Sequence, residues 1–134
     1  MNSSVAFLFP GQGRSLDALP PRSERSDILF ARAEQQGLPL RQWILDQQHD
    51  ILRRTENAQP ALYIDSLARE DALRACGWLP EAIAGHSLGE YPALVSAGTL
   101  DPLDGLDAVI QRGRNMSTVR GTMKAILRLE ISTG

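Results

Sequence analysis

Residues 85–89 read Gly-His-Ser-Leu-Gly, and this pentapeptide constrains the fold more than any other part of the chain. It follows the apolar run 82–84 and precedes a helical stretch, so it predicts a sharp strand-to-helix turn. Glycines two before and two after Ser87 permit unusual backbone angles and a close approach of neighbouring chain. Such a turn exposes a serine hydroxyl beside the free N–H groups that begin a helix, where negative charge is favoured. A glycine-flanked turn without catalytic role fits the same five residues.

Two further segments have a distinctive composition. Residues 5–9, Val-Ala-Phe-Leu-Phe, suit a short buried strand, and the following Pro-Gly-Gln-Gly of 10–13 is too rich in glycine for a helix. Residues 111–116, Gln-Arg-Gly-Arg-Asn-Met, fall on a predicted helix that comes after the serine.

In this order, residues 9–13, residues 85–91 and Arg112-Gly113 with Met116 resemble the malonyl-CoA:acyl-carrier-protein transacylase family. That family includes the acyltransferase domains of fatty-acid and polyketide synthases. Residues 55–62 and 121–127 are also similar to segments of it, so the resemblance extends from about residue 5 to residue 129. The implied fold is α/β: a three-layer, parallel-sheet core like that of the α/β-hydrolases, with a ferredoxin-like small subdomain inserted downstream.

The resemblance also implies a role for each matching residue. Ser87 matches the nucleophile that takes the acyl group from coenzyme A and passes it to the phosphopantetheine thiol of an acyl carrier protein. The N–H of Leu88 matches one oxyanion-hole donor, and Gln12 lies where the family's Gly-Gln-Gly loop supplies the other. Arg112 matches the arginine that binds the malonate carboxylate. We expect Gly11 and His86 beside them as substrate contacts, malonyl-CoA as the donor, and no bound cofactor or metal.

The family's general-base histidine and its small subdomain come after the strand expected at 123–129, and this chain, which ends at Gly134, contains neither. We therefore expect residues 1–134 to form the N-terminal portion of a transferase domain. A downstream segment or a partner polypeptide would supply the base. His86 adjoins Ser87 on a strand end and is badly placed to take its proton, so we expect it to pack behind the turn. His49 lies in a polar stretch that is typical of a surface.

Composition narrows the class of protein. The 134 residues suffice for one domain, and a net charge of −2 favours neither nucleic acid nor an anionic membrane as partner. Cys76 is the only cysteine, which excludes an internal disulfide, and we expect it to be a small apolar residue near a helix end. Without a membrane-length apolar run or a basic leader, the sequence predicts a cytoplasmic protein.

Strands separated by helices predict a parallel sheet with helices on its faces. We expect Asp27 to cap a first helix, Gln59-Pro60 to open a long one, and Asp101-Pro102 to begin a third. The long helix should bury one narrow face, formed by Ala61, Ile64, Ala68, Ala72 and Ala75. The helix from Pro102 should pack through Leu103, Leu106, Ile110 and Gly113. Gly37, Gly77 and Gly98 should end helices.

Arg112 has mostly apolar helical neighbours, so its charge needs a partner. Periodicity alone fits an internal ion pair as well as a bidentate contact with a substrate carboxylate, and the resemblance favours the substrate. Three functions stay open on the sequence: a malonyl transferase, a serine esterase that shares only the Gly-x-Ser-x-Gly turn, and a non-catalytic remnant. An esterase would give Arg112 and Gln12 no role.

Overall fold

The computed structural model describes residues 4–121, in which six helices and two short strands alternate along the chain. None of these helices is long and apolar enough to cross a membrane. The strands are β1 (Ala6–Phe9) and β2 (Ala82–Gly85), and the helices are α1 (Glu24–Gln35), α2 (Leu40–Leu45), α3 (His49–Leu52), α4 (Thr55–Ala75), α5 (Glu90–Ser96) and α6 (Pro102–Ser117).

The two strands pair in parallel, with Phe7 opposite Ile83 and Phe9 opposite Gly85. Parallel neighbours need a crossover connection, and helices α1 to α4 provide it. Phe7 and Phe9 are buried, whereas Leu8 is 76% exposed on the other face. The α/β class with a parallel sheet is confirmed. Within the described residues the helices cover one face of the sheet, and the strand predicted over 123–129 lies outside them.

Helix α4 forms the centre of the core, and it packs most extensively against α6. The prediction that α4 buries only one narrow apolar face is wrong. Ala75 belongs to that face but is exposed, and Tyr63 and Leu67 lie off it but are fully buried. Four helices surround α4: α1, α3, α5 and α6 all contact it. A helix enclosed in this way buries residues on every side rather than along one stripe.

The starts of two helices differ from prediction. Ser23, and not Asp27, caps α1, through reciprocal hydrogen bonds between Ser23 and Ser26. Asp27 accepts hydrogen bonds from Arg41 and Arg22 instead, and these guanidinium groups hold the pKa of its carboxyl below the usual value.

Helix α4 begins at Thr55, so Pro60 lies inside the helix and does not open it. The N–H groups of Asn57 and Ala58 both donate to the Arg54 carbonyl and form a turn upstream of the proline. Because Pro60 has no N–H, the Glu56 carbonyl lacks its usual helical partner. The tight turn at 54–58 therefore overrides the preference of proline for a first helical position.

The prediction for α6 is largely confirmed. Asp101 caps the helix by accepting from the N–H groups of Leu103 and Asp104, and Leu106, Ile110 and Gly113 are buried. Leu103 is 37% exposed and does not belong to the packing stripe. The three predicted helix ends are confirmed too, with φ of 83° at Gly37, 91° at Gly77 and 77° at Gly98.

Candidate active site

Ser87 lies on a strained turn between β2 and α5. Its φ of 52° is in the left-handed region, where a non-glycine residue costs about 1–3 kcal/mol. A 3₁₀ turn over Ser87–Gly89 follows, and the Gly89 N–H donates to the His86 carbonyl over 2.9 Å. The N–H of Leu88 lies before this first hydrogen bond of the turn, so the turn itself does not use it. The backbone therefore holds an exposed serine next to an available amide N–H.

Close contacts explain the two glycines of this turn. A side chain at Gly89 would place its Cβ 2.7 Å from the Pro10 carbonyl oxygen, and closer still to that of Phe9. A Cβ at Gly85 would lie 2.6 Å from the backbone nitrogen of Glu90. Both contacts involve backbone atoms, which cannot rotate away as a side chain can. Glycine at 89 therefore lets the turn lie against the end of β1, and glycine at 85 lets the turn fold back on its own backbone.

The loop after β1 lies against the serine turn. The His86 N–H donates to the Phe9 carbonyl over 3.1 Å, and a Cβ on Gly11 would lie 3.0 Å from the His86 carbonyl oxygen. Gln12 is exposed, and its Nε2 lies 3.5 Å from the Thr55 hydroxyl, a distance too long to hold the amide in one direction. The Gly-Gln-Gly loop thus brings Gln12 to the rim of the site.

Arg112 reaches the serine from α6. Its Nη2 donates to the Ser87 hydroxyl over 3.0 Å, and its Nη1 donates to the Gln59 amide oxygen over 2.7 Å. The guanidinium carbon also lies 5.8 Å from the centre of the Tyr91 ring. Within residues 4–121 no carboxylate forms an ion pair with Arg112. The internal ion pair that the sequence left open is therefore not found in the described part of the chain.

A cleft of about 660 Å³ connects these groups, a volume typical of small-molecule sites. Its walls come from the loop after β1, the serine turn, the start of α4 and the end of α6, namely Gly11, Gln12, Gly13, Arg14, Ser15, Arg53, Ala58, His86, Ser87, Arg112 and Met116. Among residues 4–121, no group of three His, Cys, Asp or Glu side chains is placed to hold a metal ion. The cleft therefore offers serine hydroxyls, arginine guanidinium groups, an imidazole and amide groups as its chemistry.

The family model for the acyl transferase domain matches residues 22–131. The chain belongs to the acyl transferase domain family. It is 38% identical to the malonyl CoA-acyl carrier protein transacylase of Bacillus subtilis (strain 168), over 96% of this chain and 43% of that protein.

Solved structures agree with this family. The malonyl-CoA:ACP transacylase of Synechocystis sp. PCC 6803 matches with a TM-score of 0.72 and 33% identity, over 87% of this chain and 41% of that one. A malonyl-transacylase in complex with a holo type II polyketide acyl-carrier protein matches with a TM-score of 0.71 and 31% identity, over 87% and 40%. The chain thus spans about two fifths of the length of these acyl transferases.

The structure brings five of the predicted site residues, Gly11, Gln12, His86, Ser87 and Arg112, to this cleft, whereas the side chain of Leu88 is buried outside it. His86 is exposed and its ring lies beside Gly11 in the cleft wall, so the expectation that it packs behind the turn is wrong. The His86 N–H continues the pairing with Phe9, and the ring lies against Gly11, where the missing Cβ leaves room for it.

Two other predicted residues lie elsewhere. His49 begins α3 on the surface, with Nδ1 3.8 Å from the carboxylate of Asp17, and it does not line the cleft. Cys76 follows α4 at a helix end, as predicted, but it is exposed and not packed. Neither side chain can act on Ser87 from these positions.

Two buried polar residues bind arginines of this cleft, and the sequence did not predict either role. Gln59 is completely buried and holds Arg112, as described above. Asp65 is 1% exposed and accepts from Arg69 and from Arg14, the residue that follows the Gly-Gln-Gly loop. Both lie in the largely apolar stretch 58–68 of α4, and that placement was the available signal. Only the three-dimensional contacts show what each one holds.

Gly113 lets α6 approach the first turn of α4 closely enough for Arg112 to reach Gln59. A Cβ there would lie 3.1 Å from Glu56 Cα and 3.3 Å from the Thr55 carbonyl oxygen. Alanine would gain about 1 kcal/mol of helix propensity, but overpacking against backbone costs about 1–3 kcal/mol. We expect Gly113→Ala to lower the free energy of unfolding in urea, and the exposed Asn115→Ala to change it little. A more stable Gly113→Ala protein would contradict this packing.

Proposed function

We propose that the protein transfers a malonyl group from malonyl-CoA to the phosphopantetheine thiol of an acyl carrier protein, through an ester on Ser87. The observation that carries the proposal is the 3.0 Å hydrogen bond between an exposed serine on a strained turn and an arginine that has no acidic partner among residues 4–121. The named relatives support it, because they are malonyl CoA-acyl carrier protein transacylases.

The short distance between Arg112 and Ser87 suits a malonyl group. Only one methylene separates the thioester carbonyl of malonyl-CoA from its free carboxylate. When the carbonyl carbon bonds to Ser87 Oγ, the carboxylate is therefore within reach of a guanidinium that already touches that oxygen. A planar guanidinium can bind such a carboxylate through two N–H groups. An acetyl group offers nothing for this charge to bind.

The reaction proceeds in two acyl transfers. Ser87 Oγ attacks the thioester carbonyl, a C–O bond forms, the C–S bond breaks, and coenzyme A leaves as its thiol after taking up the proton. The phosphopantetheine thiol then attacks the carbonyl of the serine ester, a C–S bond forms, the C–O bond to Ser87 Oγ breaks, and the serine oxygen recovers the proton that the thiol gives up. In both steps the Leu88 N–H and the Gln12 loop would stabilise the oxyanion.

Proton transfer requires a base hydrogen-bonded to Ser87 Oγ, but within residues 4–121 the side-chain partner of this hydroxyl is Arg112, and His49 lies outside the cleft. Arg112 is a permanent donor and cannot take the proton. The base would therefore come from a downstream segment or a partner polypeptide. For the acceptor, a solved relative is a malonyl-transacylase in complex with a holo acyl-carrier protein, which supports a carrier protein as partner.

The ester on Ser87 can be detected directly. We expect the full-length protein to gain one malonyl group by intact mass spectrometry after exposure to malonyl-CoA, and to release it to a holo acyl carrier protein. Ser87→Ala should abolish the gain, because no other residue lining the cleft in the described chain carries a comparably placed nucleophile.

Peptide mapping needs one control, because no lysine or arginine separates Ala75 from Arg112, and Ser87 and Cys76 share a tryptic peptide. Cys76 is exposed and could form a thioester. The Cys76→Ser variant should therefore keep the malonyl increment. An increment that survives Ser87→Ala, or disappears in Cys76→Ser, would refute the proposal. Rapid hydrolysis of simple esters that does not depend on Arg112 would favour an esterase instead.

A further inference from the structure

Gln59 is the buried partner of the Arg112 side chain, and its surroundings fix which way its amide points. It lies on α4 with 0% exposure, its oxygen accepts from Arg112 Nη1 over 2.7 Å, and its Nε2 lies 3.1 Å from the Met116 sulfur. A guanidinium only donates, so the amide oxygen must face Arg112, and the NH₂ group must face the thioether. The amide is therefore held between two residues of α6, one turn apart.

Gln59 carries no charge, and this determines how much of the positive charge of Arg112 is left uncompensated. A charge next to apolar neighbours is ordinarily balanced by a carboxylate. Within the described part of the chain, both acceptors of Arg112, an amide oxygen and a hydroxyl, are uncharged. The contact fixes the guanidinium without compensating it, because an amide contributes a hydrogen bond but no net charge.

We propose that Gln59 is a positioning residue that sets acyl-group selectivity: it orients Arg112 toward Ser87 while leaving its positive charge for the substrate carboxylate. The inference rests on the proposed function. Nη1 is engaged by Gln59 on the inner side, so Nη2 projects over the serine. A glutamate here would keep the geometry and cancel the charge, and an apolar residue would keep the charge and lose the geometry.

Two isosteric substitutions separate these effects. Gln59→Glu places a carboxylate against Arg112, and we expect the rate of malonyl ester formation at low malonyl-CoA to fall about 30-fold or more, close to the loss of the arginine itself. Gln59→Met fills the same volume without an acceptor, and the loss of one hydrogen bond to a charged group should cost about 10-fold. Acetyl ester formation on Ser87 should change less than about 3-fold in both variants, because the acetyl group has no carboxylate for Arg112 to bind.

The readout is the ratio of malonyl to acetyl ester formation, measured by mass spectrometry over a range of donor concentrations, with urea unfolding to confirm that each variant folds. A general packing defect would lower both rates together and leave the ratio unchanged. In a protein that already carries Arg112→Ala, the Gln59 substitutions should not alter the ratio further, because Gln59 acts through the arginine.

Each outcome decides the matter. A ratio that falls in Gln59→Glu and Gln59→Met, but not in the Arg112→Ala background, supports the assignment. An unchanged ratio in folded Gln59→Glu, or an equal further change in the Arg112→Ala background, overturns it. If the unchanged protein forms no malonyl ester on Ser87, the proposed function fails and this inference fails with it. Should Gln59→Glu not fold, the Gln59→Met ratio alone decides.

Discussion

Replacing Arg112 with alanine should shift the preference of the protein from malonyl-CoA toward acetyl-CoA. The substitution removes the only cation that contacts the Ser87 hydroxyl within residues 4–121. Loss of one member of a buried charged pair costs about 2–5 kcal/mol, which corresponds to roughly 30-fold or more in malonyl ester formation. Acetyl-CoA should lose far less. Mass spectrometry of the Ser87 ester with each donor measures both rates.

Arg114 supplies the matched control. It lies on the same helix, its side chain donates to the Gln36 carbonyl on the surface over 3.2 Å, and it does not line the cleft. Arg114→Ala should therefore leave the malonyl-to-acetyl ratio unchanged. Arg112→Lys should recover only part of the preference, because an ammonium cannot contact Gln59 and a carboxylate through a rigid fork. If Arg112→Ala slows ester formation equally with malonyl-CoA and acetyl-CoA, the role of this arginine is structural.

The candidate site could be predicted to the extent that its residues lie in local motifs. The turn that needs glycine at 85 and 89 can be recognised from its five residues alone, and the Gly-Gln-Gly loop from its three. Arg112 was found through the family resemblance, since helical periodicity alone fitted an ion pair as well. The role of Gln59 could not be predicted in this way. It depends on the packing of α4 against α6, which brings Gln59 to Arg112, 53 residues away in sequence.

For the fold, helix ends were easier to predict than helix starts. Gly77 signals an end by itself because a left-handed residue stops the helix. The start of a helix depends on which of several candidate residues caps it. Asp27 suits a cap as well as Ser23 does. Its carboxylate is instead bound by Arg22 and by Arg41 from α2. Tertiary partners decided the choice. The enclosure of α4 likewise depends on which helices surround it, and no periodicity within α4 contains that information.

A side chain at Gly89 is expected to be poorly tolerated, because this residue joins the serine turn to the loop that carries Gln12. A Cβ there would overlap the Phe9 carbonyl and lie 2.7 Å from the Pro10 carbonyl oxygen. Both are backbone atoms at the end of β1, so relief requires that strand end and loop move away from the turn together. Such a movement would also break the hydrogen bond from the His86 N–H to the Phe9 carbonyl.

Gly89→Ala should therefore lower the free energy of unfolding by about 3 kcal/mol or more, at the upper end of the usual cost of overpacking. Any folded fraction should form the Ser87 ester far more slowly, because Gln12 moves away from Ser87 with the loop. Gly13→Ala is the matched control for stability, since a Cβ at Gly13 would have no atom within 4 Å. Urea unfolding and mass spectrometry measure the two effects. A Gly89→Ala protein as stable and as rapidly acylated as the unchanged one would mean that the loop and the serine turn are not held together by this contact, and the oxyanion role proposed for Gln12 would lose its structural basis.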